Sequence, residues 1–304
     1  MSEQTGQLGQ EVPVIVIERD DEEMPGLNKR KPAGGAVRQR TWRQWALVVV
    51  GTVLLLTALV AGYRQWAYYY RIGIEVSTTP AQNIQKLKAP LTAAEPEVVS
   101  TSDSILGVAM DFYAIHGLQA SIQFEEPDTA DASVFLYCRC ADHKADTTYI
   151  GTLVADGTEY QSDRSRLGYM AMADGRMVIG VGRSDEVKNY VQPLGGSFFR
   201  QFVLVSANTI PKRFYLHGKV ERRAIGRKGD MLYYIATRYK ETLWDFADAL
   251  REYGFIDAIY ITGGTDYSFY RSADGVRHDI GDAGRYPHRK WAGVIPWLVF
   301  RRAE

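Results

Sequence analysis

The feature that most constrains this chain is an apolar run over residues 45–63 that contains no charged side chain. As an α-helix the run would be about 28 Å long at about 1.5 Å per residue, close to the hydrocarbon thickness of a bilayer. Trp42 and the tyrosines at 68–70 flank it as an aromatic belt would. We therefore predict one transmembrane helix over residues 44–63. A cleaved signal peptide is disfavoured, because the run begins far from the N-terminus and is too long.

The charges around this run predict its orientation. Basic residues are more frequent before it than after it: Lys29, Arg30, Lys31, Arg38, Arg40 and Arg43 precede it, and Arg64 and Arg71 follow. The positive-inside rule then predicts a single-pass protein with a cytoplasmic N-terminus. Residues 64–304 would lie outside the cytoplasm, in the periplasm if the source is bacterial.

The regions on either side of the helix differ in composition. Residues 1–43 carry blocks of like charge separated by proline and glycine, which predicts a disordered cytoplasmic tail. Residues 64–100 contain Pro80, Pro90 and Pro96, which would interrupt a long helix, and are predicted to be a juxtamembrane linker. Residues 101–304 remain for a folded domain.

Bulk composition excludes some partners. The chain has 304 residues, 46% of them hydrophobic, and a formal net charge of zero. Without a basic excess, we predict no nucleic-acid partner. Its two cysteines, Cys138 and Cys140, would share one face of a strand as small half-buried thiols. We predict neither a metal site nor a cofactor.

The pattern after residue 101 predicts an α+β domain with mixed or antiparallel sheets and a few packed helices. Thr242 and Gly254 are placed to cap a helix over 243–253 at its two ends. A second, short helix is predicted over 184–190. Apolar and alternating runs predict strands at 120–124, 133–140, 149–154, 167–172, 177–181, 198–205, 231–236, 255–261 and 294–300.

The strand at 255–261 opens into Thr262-Gly263-Gly264-Thr265-Asp266. Paired glycines after a short apolar strand bring backbone amides to its carboxyl end, where ligand sites are commonly built. The adjacent Arg222 and Arg223 point to opposite faces if they lie in a strand. An arginine binds phosphate bidentately, and the alternative is that Arg222 pairs with a carboxylate on the sheet surface.

Three segments in this order resemble the phosphodiester glycosidase family. Arg222-Arg223-Ala224-Ile225-Gly226 resembles its Arg-Ser/Thr-Ala-Ile-Gly strand, and residues 243–264 resemble its helix–strand unit ending in Leu-Asp-Gly-Gly-Gly-Ser. Residues 194–198 look like its Gly-Gly strand entrance. The resemblance covers roughly residues 101–304. It implies an enzyme that removes a sugar from a phosphodiester.

The resemblance also implies site residues. Arg222 falls on the family's arginine and would be catalytic through anion binding. Substrate-binding positions carried over or placed beside these motifs are Arg223, Gly196, Thr262, Gly263 and Gly264.

Two motifs depart from the family pattern. Thr262 stands where the family has Asp before the glycines, and no Asn-Gly-Gly-Phe-type segment occurs between about 134 and 150. Because a hydroxyl with no nearby base cannot replace a carboxylate, Asp266 is predicted as the catalytic carboxylate. Asp142 and His143 are further polar candidates.

Two functions therefore stay open. The first is a membrane-anchored, exported protein acting on a sugar phosphodiester or an envelope glycan. The alternative is a non-catalytic module that binds a glycan or a protein and has lost the catalytic carboxylate; Thr262 favours it. Whether the chain is an enzyme is left undecided by its sequence.

Overall fold

The computed structural model describes residues 41–70, 73–91, 94–214, 216–264, 266–281 and 293–303. The predicted tail lies almost entirely outside these residues. The chain divides into two compact units, residues 1–57 and 58–304.

Helix α1 spans Trp42–Tyr70, somewhat longer than the predicted 44–63. Its part from Trp42 to Arg64 is long and apolar enough to cross a membrane, by length and composition, and it is the one such helix among the described residues. Its large apolar side chains are exposed, for example Leu54 and Leu55. The expected apolar helix is thus confirmed as a candidate anchor. Its orientation and the compartment of the remaining chain stay predictions.

Three further helices lie in the second unit: α2 (Pro80–Lys88), α3 (Glu186–Val191) and α4 (Leu243–Glu252). Helix α4 begins as its sequence predicts, because Thr242 Oγ1 accepts a hydrogen bond from the Asp245 amide at 3.0 Å. Helix α2 lies inside the stretch predicted as a linker. Pro80 occupies its first turn, which proline tolerates, and Thr79 and Gln82 form a capping box.

The described residues form sixteen strands: β1 (Glu97–Ile105), β2 (Val108–His116), β3 (Leu118–Gln123), β4 (Val134–Arg139), β5 (Leu153–Ala155), β6 (Thr158–Gln161), β7 (Gly168–Ala173), β8 (Arg176–Val181), β9 (Ser197–Gln201), β10 (Val203–Ser206), β11 (Arg222–Lys228), β12 (Met231–Thr237), β13 (Asp257–Gly263), β14 (Ser268–Arg271), β15 (Arg277–Ile280) and β16 (Trp297–Arg302).

These strands make three sheets. The first has the order β1-β2-β12-β11-β13-β10, the second β15-β14-β4-β16-β3 and the third β6-β5-β9-β7-β8. Every pairing among the described strands is antiparallel. The predicted α+β class, with an apolar helix before the sheets, is confirmed. The domain boundaries stay predictions.

Three predicted strands differ most from those observed. The strand predicted at 149–154 begins only at Leu153, as β5. The run 198–205 is two strands, β9 in the third sheet and β10 in the first, separated at Phe202. The strand predicted at 255–261 is shifted to Asp257–Gly263, so Thr262 and Gly263 continue the sheet instead of forming the turn.

The cysteines lie deep in the core between the sheets. Both thiols are free, and Cys138 and Cys140 are 1% and 0% exposed, more buried than predicted. They share a buried cluster with Leu298, Phe199 and Ile259. Burial raises the pKa of both thiols, so each packs as a small hydrophobic side chain.

Candidate functional site

The chain crosses from the first sheet to the second at the candidate site. Strand β13 ends at Gly263 and β14 begins at Ser268 in the other sheet. Asp266 lies in this crossing. Strand β4, paired with β14, ends at Arg139. Polar side chains at the ends of strands from two sheets are therefore brought to one place.

Arg139 connects two carboxylates there. Its Nη1 donates to Asp266 Oδ1 at 3.3 Å, and its Nη2 lies 3.2 Å from Asp142 Oδ1. The Nε of Arg139 donates to the carbonyl oxygen of Ala141 at 3.1 Å, which fixes the guanidinium plane. Asp142 and Asp266 thus lie on the two terminal nitrogens of one arginine.

Arg223 extends this arrangement, because its guanidinium lies near the backbone of Asp266. Its Nη2 lies 3.1 Å from Glu221 Oε2. A Cβ atom built on Gly281 would be 3.7 Å from that Nη2 and 2.7 Å from the backbone oxygen of Asp266, so both groups adjoin this glycine. Burial opposes the charge of Arg223, but Tyr234, Glu221 and Asp266 leave its pKa raised.

We call Arg139, Asp142, Glu221, Arg223 and Asp266 the charged cluster. Its members differ in depth: the side chains of Asp142 and Glu221 are 45% and 35% exposed, and those of Arg139 and Asp266 are 12% and 11% exposed. The cluster therefore ranges from two partly exposed acids to the nearly buried pair of Arg139 and Asp266. Although the Asp142 side chain is partly exposed, the protein packed around its carboxyl group desolvates it and raises its pKa; the charge of Asp266 adds to this and Arg139 opposes it.

Arg222 makes different contacts from its neighbour. Its Nε and Nη2 donate to the carbonyl oxygens of Glu241 and Gly218 at 2.9 and 2.8 Å. Its Nη1 lies 3.5 Å from Tyr260 Oη, and the residue is only 2% exposed. Within the described part of the chain, no ion pair joins Arg222 to a carboxylate. Its guanidinium is held mainly by backbone, so the pairing considered from its sequence is not seen.

The structure brings Arg222 and the glycine pair together. Arg222 is the cross-strand partner of Gly263. A Cβ on Gly263 would lie 2.6 Å from the Glu221 carbonyl oxygen and closer still to Tyr260 Oη, the group that Arg222 contacts. The Gly264 amide donates to the Glu221 carbonyl at 2.8 Å, and its φ is +76°. A side chain is therefore opposed at Gly263 by its close neighbours and at Gly264 by its backbone conformation.

Of two other predicted positions, Thr262 is inaccessible to solvent and Gly196 lies away from the charged cluster. Thr262 is 1% exposed within β13. Gly196 adjoins the Met172 and Val191 carbonyls, in the region of the third sheet and α3. The substrate-binding roles expected for these residues stay predictions.

Arg139 and Glu221 were not predicted from the sequence as site residues. The sequence does contain a signal for Arg139, because this residue lies between Cys138 and Cys140. In a strand that buries both thiols, the side chain of Arg139 points to the opposite face. Glu221 has no comparable signal. Among the described side chains, no group of three or more His, Cys, Asp and Glu residues is arranged to hold a metal ion.

Comparison with known proteins gives similarity in structure only. No protein-family model and no curated protein matches the chain. The structure is similar to the catalytic domain of zebrafish N-acetylglucosamine-1-phosphodiester alpha-N-acetylglucosaminidase, auto-inhibited by its pro-peptide: 12% identity, a TM-score of 0.46, and coverage of 71% of this chain and 85% of that one. It is also similar to a hypothetical protein from Synechocystis, at 9% identity and a TM-score of 0.42, over 70% of this chain and 64% of that one. Similarity at this level assigns neither an activity nor a substrate.

Proposed function

We propose that this protein is anchored in a membrane by α1 and binds a sugar phosphodiester, or a related envelope glycan, at the charged cluster outside the cytoplasm. We further propose that Asp142 and Asp266 hydrolyse it. The observation that carries the proposal is the contact of one guanidinium, that of Arg139, with both carboxylates. The motifs that resemble the phosphodiester glycosidase family, which include the glycine pair beside Asp266, support the same class.

The two acids have the different surroundings that glycoside hydrolysis requires. Asp142 is nearer solvent and its pKa is raised, so it is suited to deliver a proton to the leaving oxygen. Asp266 is deeper and accepts a hydrogen bond from Arg139, so it is suited to activate water or to attack the anomeric carbon.

The arginines supply positive charge for the phosphate. A phosphate oxygen that reaches Arg139 would compete with Asp142, the more exposed of its two partners. This displacement would free Asp142 to approach the leaving group. Arg222, which is held by two carbonyls, acts in this proposal as a positioning residue for the strand end.

The second candidate is a glycan-binding module without turnover. Thr262 favours it, because a buried hydroxyl occupies the position at which the resemblance expects a carboxylate. This candidate predicts binding at the charged cluster with no cleavage.

One assay separates the two candidates. The full chain in nanodiscs would be incubated with N-acetylglucosamine 1-(methyl phosphate), and released sugar would be measured. If the enzyme proposal is right, Asp266→Asn and Asp142→Asn each lower turnover by about 100-fold or more, the usual contribution of acid–base groups. Asp174→Asn is the matched control: Asp174 lies in the exposed β7–β8 turn at φ +48°, a region that asparagine tolerates.

The outcomes of this assay distinguish the two candidates. Binding without turnover in the wild-type chain supports the second candidate. Turnover that survives both substitutions removes the two acids from the mechanism. No binding of the phosphodiester contradicts both candidates.

A further inference from the structure

A second surface of the domain combines exposed apolar and basic side chains. The apolar members lie on the segment 216–220, on the segment before α4 and in the first turn of α4: Leu216, Val220, Tyr239 and Trp244. Tyr239 is 68% exposed and Trp244 is 45% exposed. The basic members are also exposed: Lys212, Arg213, Lys219 and Lys240. We call these residues the basic aromatic patch.

The patch is built from ordered contacts between its two segments. Val220 and Glu241 form an isolated β-bridge, with hydrogen bonds in both directions. The rings of Phe214 and Trp244 meet edge to face at 6.3 Å. Arg222 donates to carbonyls of both segments and so holds them together. The apolar side chains are therefore presented on a fixed backbone.

The charge of the patch is positive. Lys219 contacts Glu241 at 3.7 Å. For Lys212, Arg213 and Lys240, the described residues show no ion pair. Aromatic and aliphatic side chains surrounded by lysine and arginine form the composition that binds the interface of an anionic bilayer.

The covalent path from α1 leads to this side of the domain. Helix α1 ends at Tyr70, and the three residue-to-residue steps from Tyr70 to Gly73 span at most about 11 Å. A Cβ on Gly73 would lie 3.6 Å from Lys212 Cε. The Glu75 amide then donates to Thr209 Oγ1 at 3.3 Å. The chain that leaves the candidate anchor is therefore bound beside the basic end of the patch.

We propose that the basic aromatic patch rests on the anionic surface of the membrane that holds α1. Tyr239, Trp244 and Leu216 enter the headgroup region, and the surrounding lysines and Arg213 contact lipid phosphates. This gives the domain a second membrane contact and a fixed orientation. The inference does not depend on the activity proposed for the charged cluster.

The test uses the full chain in nanodiscs of phosphatidylcholine alone or of equal parts phosphatidylcholine and phosphatidylglycerol. A fluorophore is placed on Tyr239→Cys or on the control Tyr160→Cys; Tyr160 is a comparably exposed tyrosine, 47%, on β6. Native Cys138 and Cys140 are buried and do not take the label. Lipids with brominated chains serve as the quencher.

We expect quenching at position 239 and not at position 160, stronger in the anionic discs. Replacing Lys212 and Arg213 by glutamate is expected to weaken docking by about tenfold or more, because each basic side chain near an anionic surface contributes a factor of about five. Equal quenching at both positions, or none at position 239, overturns the proposal. Protection of the patch from hydrogen exchange without quenching also overturns it, and indicates a protein partner.

Discussion

Arg222 and Arg223 show how neighbouring residues in a strand acquire different roles. Both are 2% exposed. Arg222 donates to carbonyls of the segment before β11 and of the segment after β12, whereas Arg223 contacts Glu221 and adjoins the backbone of Asp266. A resemblance in sequence can mark this pair as important, but only the contacts distinguish the residue that orders backbone from the one that belongs to the charged cluster.

Removing the Arg222 side chain tests its structural role. Arg222→Ala leaves the Gly218 and Glu241 carbonyls without their charged donor, so we expect a loss of about 3 kcal/mol in the free energy of unfolding. Urea denaturation measures it, and hydrogen exchange should show faster exchange around residues 216–221. Arg213→Ala, at an exposed position, is the control. Lost turnover with unchanged stability would instead give Arg222 a direct part in the reaction.

Asp142 predicts a pH dependence of stability. The pKa of Asp142 is raised in the folded state, so the folded chain binds this proton more tightly than the unfolded chain does. The free energy of unfolding therefore falls as pH rises from the unfolded pKa through the folded pKa. Asp142→Asn removes this cost. The free energy of unfolding of the variant, relative to the wild-type chain, should therefore increase with pH across that window and be constant below it. A difference that decreases with pH would contradict the stated surroundings of Asp142.

The elements differ in how far their sequence predicts them. Helix α4 was predicted because its caps and apolar stripe are local. The division of 198–205 into β9 and β10 was not, because it depends on a distant partner: the Tyr260 amide donates to the Phe202 carbonyl at 2.8 Å. Helix α2 was missed because the prolines of residues 64–100 indicated interruption, although Pro80 lies where a helix accepts proline.

The packing around strand β13 leaves no room for a side chain at Gly263. Gly263→Ala places a methyl group against Tyr260 Oη and 2.6 Å from the Glu221 carbonyl oxygen, so we expect a loss of about 1–3 kcal/mol. Adding Tyr260→Phe should recover part of this loss, because one of the two contacts is the hydroxyl. Thermal or urea unfolding of both variants measures it. Gly264→Ala is the comparison, since only its φ of +76° opposes a side chain there.

At the scale of the whole molecule, the α+β class was predictable and the site was predictable only in part. Class follows from many local runs that each predict a strand. The charged cluster joins residues from three distant stretches, at 139–142, 221–223 and 266, through the meeting of two sheets. The glycine pair and Asp266 were found because they are adjacent in the chain. Arg139 and Glu221 required the pairing of β4 with β14 and of β11 with β13.

Asp257 ties the segment before α2 to the first sheet. This fully buried carboxylate contacts Ser77 and Arg227, and Ser206 Oγ at 3.3 Å. Asp257→Ala leaves the Arg227 guanidinium, which is 18% exposed, and the hydroxyls of Ser77 and Ser206 without their acceptor, so it should cost about 1.5–3 kcal/mol in the free energy of unfolding. It should also speed hydrogen exchange at residues 73–79. Asp248→Ala, which removes a partly exposed ion pair with Arg251, is expected to change stability by less than about 1 kcal/mol.

The central claim is that Arg139 and its two carboxylates form a binding site for a sugar phosphodiester. The most direct measurement is calorimetric titration of the full chain with a non-hydrolysable phosphonate analogue of N-acetylglucosamine 1-(methyl phosphate). We expect saturable binding that Arg139→Gln weakens by about tenfold or more, as the loss of a charged hydrogen bond would. Arg238→Gln, at an exposed arginine paired with Asp111, should leave the affinity unchanged. Equal affinity in the wild-type and Arg139→Gln chains, or no binding to either, would contradict the claim.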